Sequence, residues 1–387
     1  MFLTPVLKLM AEKQASDLFI SAGAPMSIKI LGTIMPVNSD VLDGPTVKKI
    51  AYELMSPEEQ AEYERTWEMN LSFPVPEIGR FRVNVFRQRG NVAIVIRYLR
   101  SQTPGLEALR LPTILKDLII EKRGLVLVVG ATGSGKSTTL AAMIEHRNAT
   151  RGGHVLTIED PIEFVFRHQR CVINQREVGL DTKSYHNALV NAMREAPDIL
   201  MIGEVRDRDT LQQALLYAQT GHLCLSTLHA NNSYHALNRI INFFPHDARG
   251  ALLHDLSVCL KAVISQRLVK AVDGSQVAAV EVLLNSKHIA ELIIKSEMDQ
   301  IKDAIEKSLS PGSVSFEQAL FKLYTEGKIT KEEALRNSDS ATNLAWLMNN
   351  AEQKASLAKG DLNKVSRGAD INATSFDHFK IDINAGN

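Results

Sequence analysis

Apolar and polar positions follow several distinct rhythms along the chain. From Thr4 to Ala15, Val6, Leu7 and Met10 recur at helical spacing. Ile28-Lys29-Ile30, then Gly32 and Ile34, suggest a hairpin. Pro57 to Arg65 reads as a short helix started by Ser56. Phe81-Arg82-Val83-Asn84-Val85-Phe86 alternates as a half-buried strand does, and Val92 to Tyr98 reads as its partner across a turn at Gln88-Arg89-Gly90-Asn91. Residues 1–100 therefore read as an α+β domain, and Pro104-Gly105 and Pro112 mark a linker over 101–112.

From 113 to 336 the rhythm changes to alternating strands and helices, as in a sheet covered by helices on both faces. Strands are expected at Leu125–Val129, Val155–Ile158, Ile199–Ile202 and Leu223–Thr227. Helices are expected at Ser184–Arg194, Asp209–Thr220 and Ala248–Leu260. After Gln266-Arg267-Leu268 the pattern predicts amphipathic helix as far as Arg336. Residues 337–387 are rich in Asn, Ser, Ala, Asp and Lys, and only Leu344-Ala345-Trp346-Leu347-Met348 could bury much. They read as a polar, mostly disordered tail.

Composition narrows the class. Lys plus Arg and Asp plus Glu number 44 each, so the net charge is zero, which argues against a general nucleic-acid binder. The cysteines, Cys171, Cys224 and Cys259, are far apart and form no C-x-x-C pair. That excludes a cysteine-based zinc site and leaves them as small buried apolar residues in a reducing cytosol. Met1-Phe2-Leu3-Thr4-Pro5 has no basic segment before an apolar core, so no signal peptide is expected. No apolar run approaches the ~18 residues of a membrane span, so membrane contact is expected only through partners.

The chemistry concentrates at Gly130-Ala131-Thr132-Gly133-Ser134-Gly135-Lys136-Ser137, which fits G-x-x-x-x-G-K-[ST]. A β-branched run precedes it, and a helical run opening at Thr138 follows. Glycines there let backbone N–H groups turn toward phosphate oxygens, and the helix N-terminus adds partial positive charge. Lys136 can reach the β- and γ-phosphates, and Ser137 can hold a magnesium ion. The site therefore implies a nucleoside triphosphate and Mg²⁺.

Further groups fit the same chemistry. Glu159-Asp160-Pro161-Ile162-Glu163 sets carboxylates at a strand end, and Glu163 is a candidate for the metal's side. Ile199-Leu200-Met201-Ile202-Gly203-Glu204 is an apolar strand ending in a carboxylate, so Glu204 is the candidate for polarising the attacking water. Gly203 stands where most P-loop enzymes carry an aspartate. His222 and His229 flank a buried strand; a neutral imidazole can sense a γ-phosphate, and His229 is the candidate ahead of His222. Arg80, Arg82, Arg87, Arg89, Arg97 and Arg100 make a basic face. That face could be merely solvated, or some of its members could contact phosphate.

Gly130–Ser137, Glu159–Glu163, Gly203-Glu204 and Gly221–His229, in that order, resemble the Walker A, Asp box, Walker B and His box of the secretion ATPase superfamily. The resemblance runs from about Ser16 to Ile329. Within the superfamily, Asn174–Val178, Arg194–Asp198 and Gln266–Leu268 are similar to the type IV pilus retraction ATPases, the PilT/PilU group. The resemblance implies an α/β fold, with a RecA-like P-loop ATPase domain preceded by a PAS-like α+β domain. It implies a homo-hexameric ring, cytoplasmic but held at the inner membrane through the pilus machinery. The partners it implies are a PilT-type retraction ATPase and an inner-membrane platform protein. It also implies that Arg82 and Arg97 contact phosphates. Two departures, Ala290 in place of an arginine and Asp17-Leu18-Phe19 in place of Asp-Leu-His, are more similar to PilU, the accessory member. The alternatives are a pilus extension or type II secretion ATPase, or a mainly structural partner of a PilT-type motor. The missing tetracysteine motif argues against the first pair.

Overall fold

The computed structural model describes residues 3–358, except Leu31, residues 100–102 and Leu309. Its first half is built on α1 (Thr4–Glu12), β1 (Asp17–Ser21), β2 (Pro25–Ile30), β3 (Thr33–Val41), α2 (Gly44–Leu54), α3 (Pro57–Thr66), β4 (Glu68–Val75), β5 (Gly79–Gln88) and β6 (Asn91–Leu99). The strands form one antiparallel sheet in the order β3-β2-β1-β6-β5-β4. The alternation read along β5 has a direct cause. Phe81, Val83 and Val85 enter a core with Leu7, Ile50 and Tyr63 of the three helices, and Arg82 and Asn84 face outward. Ser56 and Glu59 close a capping box at the start of α3, with Pro57 in its first turn.

The second half runs α4 (Ile114–Ile120), β7 (Gly124–Val129), α5 (Lys136–Thr150), β8 (Gly153–Glu159), β9 (Cys171–Glu177), α6 (Tyr185–Ala192), β10 (Ile199–Ile202), α7 (Arg208–Gln219) and β11 (Leu223–Leu228). It continues with α8 (Ser233–Asn242), α9 (Arg249–Cys259), β12 (Leu260–Lys270), β13 (Gln276–Leu284), α10 (Lys287–Ile294), α11 (Ile301–Glu306), α12 (Phe316–Thr325), α13 (Lys331–Asn337) and α14 (Ala341–Ala358). The seven-stranded sheet has the order β13-β12-β7-β11-β10-β8-β9 and is parallel except for the β12–β13 pair. Strands β7, β10 and β11 are buried at every position, as strands covered on both faces must be. One face packs on α4 and α5, and the other on α6 through α11. The chain is a mixed α/β protein with a largely parallel sheet.

Two expectations are corrected. The stretch after Gln266-Arg267-Leu268 is not helical at first. Those residues belong to β12, which turns at Asp273-Gly274 and returns as β13. Val277 to Leu284 is a short apolar run whose β-branched residues favour a strand, and Gly274 takes the left-handed backbone (φ +83°) that the turn needs. The polar tail expected from 337 is helical over α14, because Leu344 and Met348, four apart, are fully buried against Phe316, Leu320 and Ala334. Residues 359–387 lie outside the described residues, as does Arg100 of the basic face. The three cysteines are free and buried. No described helix is long and apolar enough to cross a membrane.

Candidate functional site

Parallel strands β7, β8, β10 and β11 end at one edge of the sheet, where side chains meet in a crevice. The glycine loop follows β7. Glu159 ends β8, Gly203-Glu204 follow β10, and His229 follows β11. A cavity of about 460 Å³ lies among them, lined by Lys136, Ser137, Glu163, Glu204 and His229, and also by Tyr185 and Arg206.

The loop is shaped by close approach. A side chain at Gly130 would place Cβ 2.6 Å from the Gln266 carbonyl oxygen of β12. Gly135, at φ +90°, caps α5, and no side chain caps that helix start. Lys136 is buried, and its Nζ donates to the carbonyls of Gly130 (3.0 Å) and Ala131 (2.9 Å). Burial pushes its pKa down, and Glu204 and Glu163 pull it back up. The Ser134 hydroxyl is buried with no partner among the described residues. A cation resting on loop carbonyls, an orphaned hydroxyl and an uncapped helix start together fit a phosphate ligand. The hydroxyl of Ser137 and the carboxylate of Glu163 supply the oxygen donors that suit Mg²⁺.

The carboxylates divide in role. Glu159 is buried and accepts from Thr157 Oγ1 (2.7 Å) and Gln175 Nε2 (3.3 Å). Burial raises its pKa to about 7. Glu163 and Asp160 are exposed at the lip. Glu204 is held at both oxygens, by Arg206 Nε at 2.7 Å and by His229 Nε2 at 3.3 Å. Arg206 also reaches Asp160 Oδ2 at 3.3 Å. Burial, then Lys136, push the His229 pKa down, which favours the neutral ring, and its Nε2 faces Glu204 Oε1.

Gly203 has a steric explanation. A Cβ there would lie 2.9 Å from the Tyr185 hydroxyl and 3.3 Å from Glu159 Cα. Tyr185, whose pKa burial pushes up, thus occupies the space an aspartate would need. Tyr185 was not readable from spacing because it reaches Gly203 from a distant segment, and neither was the reach of Arg206 from Glu204 across to Asp160.

Other residues fall elsewhere. His222 lies at the opposite end of β11 from His229, with its Nδ1 3.2 Å from Thr220 Oγ1, so it is not brought to the cavity. Arg82 and Arg97 are direct cross-strand partners on the outer face of the first sheet. Arg97 Nε lies 2.8 Å from Asp17 Oδ1. Neither arginine lines the cavity. A second cavity of about 360 Å³ adjoins the loop at Gly135 and Thr138 and is closed by Leu109, Arg110, Leu268 and Gln276.

The profile of the family described as "Type II/IV secretion system protein" matches residues 2–366. The chain is 47% identical over 361 residues to the type IV pilus ATPase PilU of Pseudomonas aeruginosa, covering 92% of this chain and 94% of that protein. It is 40% identical over 334 residues to the type IV pilus retraction ATPase PilT of the same organism, covering 86% and 97%. Among solved structures, the pilus retraction motor PilT with bound ADP superimposes with a TM-score of 0.81 at 40% identity, covering 87% of this chain and 97% of that one.

Proposed function

The chain belongs to the Type II/IV secretion system protein family, and on that premise we propose that it is an ATP-hydrolysing motor of the type IV pilus machinery, driving or assisting pilus retraction and twitching motility. The observation that carries this reading is the convergence of Lys136, Ser137, Glu204 and His229 on one cavity at the carboxyl edge of the sheet. The second half is read as a RecA-like ATPase domain and the first as a PAS-like domain.

Gly130, Ala131, Thr132, Gly133, Ser134, Gly135 and Thr138 wrap the phosphates. Lys136 exchanges its loop carbonyls for the β- and γ-phosphate oxygens. Ser137 and Glu163 would hold Mg²⁺, which would supply positive charge beside the phosphates. Glu204 takes a proton from the water whose oxygen bonds to the γ-phosphorus as the bond to the β–γ bridging oxygen breaks and ADP leaves, and His229 orients Glu204 and reads the γ-phosphate. The adjoining cavity beside Thr138 takes the base.

Arg82 and Arg97 stand outside their own chain's cavity, which supports a site completed by domain closure or by the next subunit of a homo-hexamer. Ala290 is half-buried on α10, at the flank of the stripe formed by the buried Ile289, Leu292 and Ile293. A methyl group there cannot make the bidentate contacts of an arginine, so the chain works as an accessory motor beside a PilT-type ring, on an inner-membrane platform protein. The test is to express this chain as the sole retraction ATPase and watch labelled pili. Weak or absent retraction, restored by a PilT-type relative, is expected. Full-force retraction without the relative would overturn the accessory reading, and no contribution in either background would overturn the motor reading.

A further inference from the structure

The loop that follows β11 is held, residue after residue, from outside the nucleotide cavity. Arg267 of β12 donates from Nη2 to the Asn231 carbonyl at 3.1 Å. Asn232 caps α8, its Oδ1 accepting from the His235 N–H at 2.9 Å. That leaves its Nδ2 to donate to Asp339 Oδ2 at 2.8 Å. Ser233 gives its N–H (2.9 Å) and its hydroxyl (2.6 Å) to the buried Glu281 of β13. The loop so held begins at His229, which touches Glu204.

Asp339 closes the arrangement from the C-terminal side. Its second oxygen accepts from Arg267 Nη2, and Arg267 Nη1 donates to the Asn337 carbonyl. The guanidinium is set 4.0 Å from the centre of the Phe316 ring. Arg267 and Asp339 are 21% and 20% exposed, so the pair is shielded and is also fixed by neutral hydrogen bonds on both sides. The next residue, Ser340, donates its N–H to the buried Glu317 at 2.8 Å, and α14 begins immediately after. The short segment 337–340 therefore anchors α14 and the His229 loop at once.

Strand β12 connects the same anchor to the glycine loop. Gln266 accepts from Thr139 Oγ1 at 2.7 Å, and its backbone and amide lie against Gly130 and Gly135. Successive residues of a strand point to opposite faces, so Gln266 faces the phosphate loop while Arg267 faces α14. A displacement on the nucleotide side thus reaches Arg267 from two directions.

We propose that Asp339 is a positioning residue: with Arg267 and Asn232 it ties the start of α14 to the loop that carries His229, so that nucleotide in the cavity sets how firmly α14 is docked. The proposal rests on the nucleotide reading above. Because coupling is reciprocal, whatever partner holds α14 also biases the nucleotide site.

The test is hydrogen–deuterium exchange on the full chain, with and without a non-hydrolysable ATP analogue and Mg²⁺. In the wild type the analogue slows exchange at 130–138, and it also slows the first turns of α14 by about tenfold. In Asp339→Ala the protection at 130–138 remains and the response of α14 disappears. Asp339→Asn keeps an acceptor for Arg267 but sets an NH₂ donor against Asn232 Nδ2, so it loses the link to the His229 loop and most of the response. Met348→Ala loosens α14 at its middle without touching Asp339, and it keeps the response. Protection at 130–138 with α14 unchanged in the wild type overturns the proposal alone. So does a response that survives Asp339→Ala, or one that Met348→Ala abolishes as well, since Asp339 would then be no more than an anchor. No protection at 130–138 overturns the nucleotide reading, and the proposal with it.

Discussion

Arg206 turns back on Glu204, two residues before it, and sets its Nε 2.7 Å from the carboxylate Oε2. The same guanidinium reaches Asp160 after β8, so one cation spans two strand ends. With His229 at the other oxygen, the rotamer of Glu204 is specified from both sides.

Arg206→Ala should therefore lower kcat roughly tenfold with little change in KM, because the carboxylate is misplaced rather than removed. Arg206→Lys should restore only part of this, since an ammonium cannot bridge Glu204 and Asp160 as a fork does. Steady-state ATP turnover checks it. Unchanged kcat in Arg206→Ala would remove Arg206 from the site's machinery.

Gly203→Ala should destabilise the fold by about 1–3 kcal/mol, the usual cost of overpacking. The new methyl would sit 2.9 Å from the Tyr185 hydroxyl. Adding Tyr185→Phe should recover much of the loss, as denaturant unfolding of the single and double variants would report. A neutral Gly203→Ala would mean that the space beside Tyr185 is freer than the geometry indicates.

Glu159 makes stability depend on pH. Burial raises its pKa from 4.5 to about 7, so the folded chain holds this proton more tightly than the unfolded chain does. Its contribution is complete below pH 4.5 and is lost as pH rises through about 7. Glu159→Gln keeps the acceptor for Thr157 and never ionises. Relative to wild type, its thermal midpoint should rise more at pH 8 than at pH 5. An offset independent of pH would show that Glu159 is not protonated in the folded chain.

Much of the site was legible because its elements are contiguous in sequence. The glycine loop, Gly203-Glu204 and His229 each adjoin an apolar strand long enough to recognise. The choice of His229 over His222 follows from strand length. Six residues of β11 separate them, roughly 20 Å of extended chain, so only one can reach the cavity. Strand β9 escaped because it is a short edge strand that turns polar after Ile173, at Asn174, Gln175 and Arg176. Strand β13 escaped because a short apolar run does not declare its period, although Asp273-Gly274 signalled the hairpin. Helix α14 buries only Leu344 and Met348 among its described side chains, and what they pack on, like the partners of Asp339 and Ser340 that anchor its start, is far away in sequence.

Arg82→Ala or Arg97→Ala should lower kcat more than nucleotide affinity, because their phosphate contacts form only on closure. For Arg97 such a contact would require it to leave Asp17. Parallel measurements of turnover and analogue binding check this. Equal losses in both, or none, would return the pair to a solvated basic face.

The central claim is that this cavity hydrolyses ATP with Glu204 as the base. It is tested most directly by phosphate release from the purified full chain and its Glu204→Gln variant, at nucleotide concentrations where both are saturated. The wild type should turn over, and Glu204→Gln should be slower by roughly 10²–10⁴-fold while still saturating with ATP. Wild-type turnover by the saturated variant would contradict the assignment and move water activation to another group, with Glu163 the first to examine.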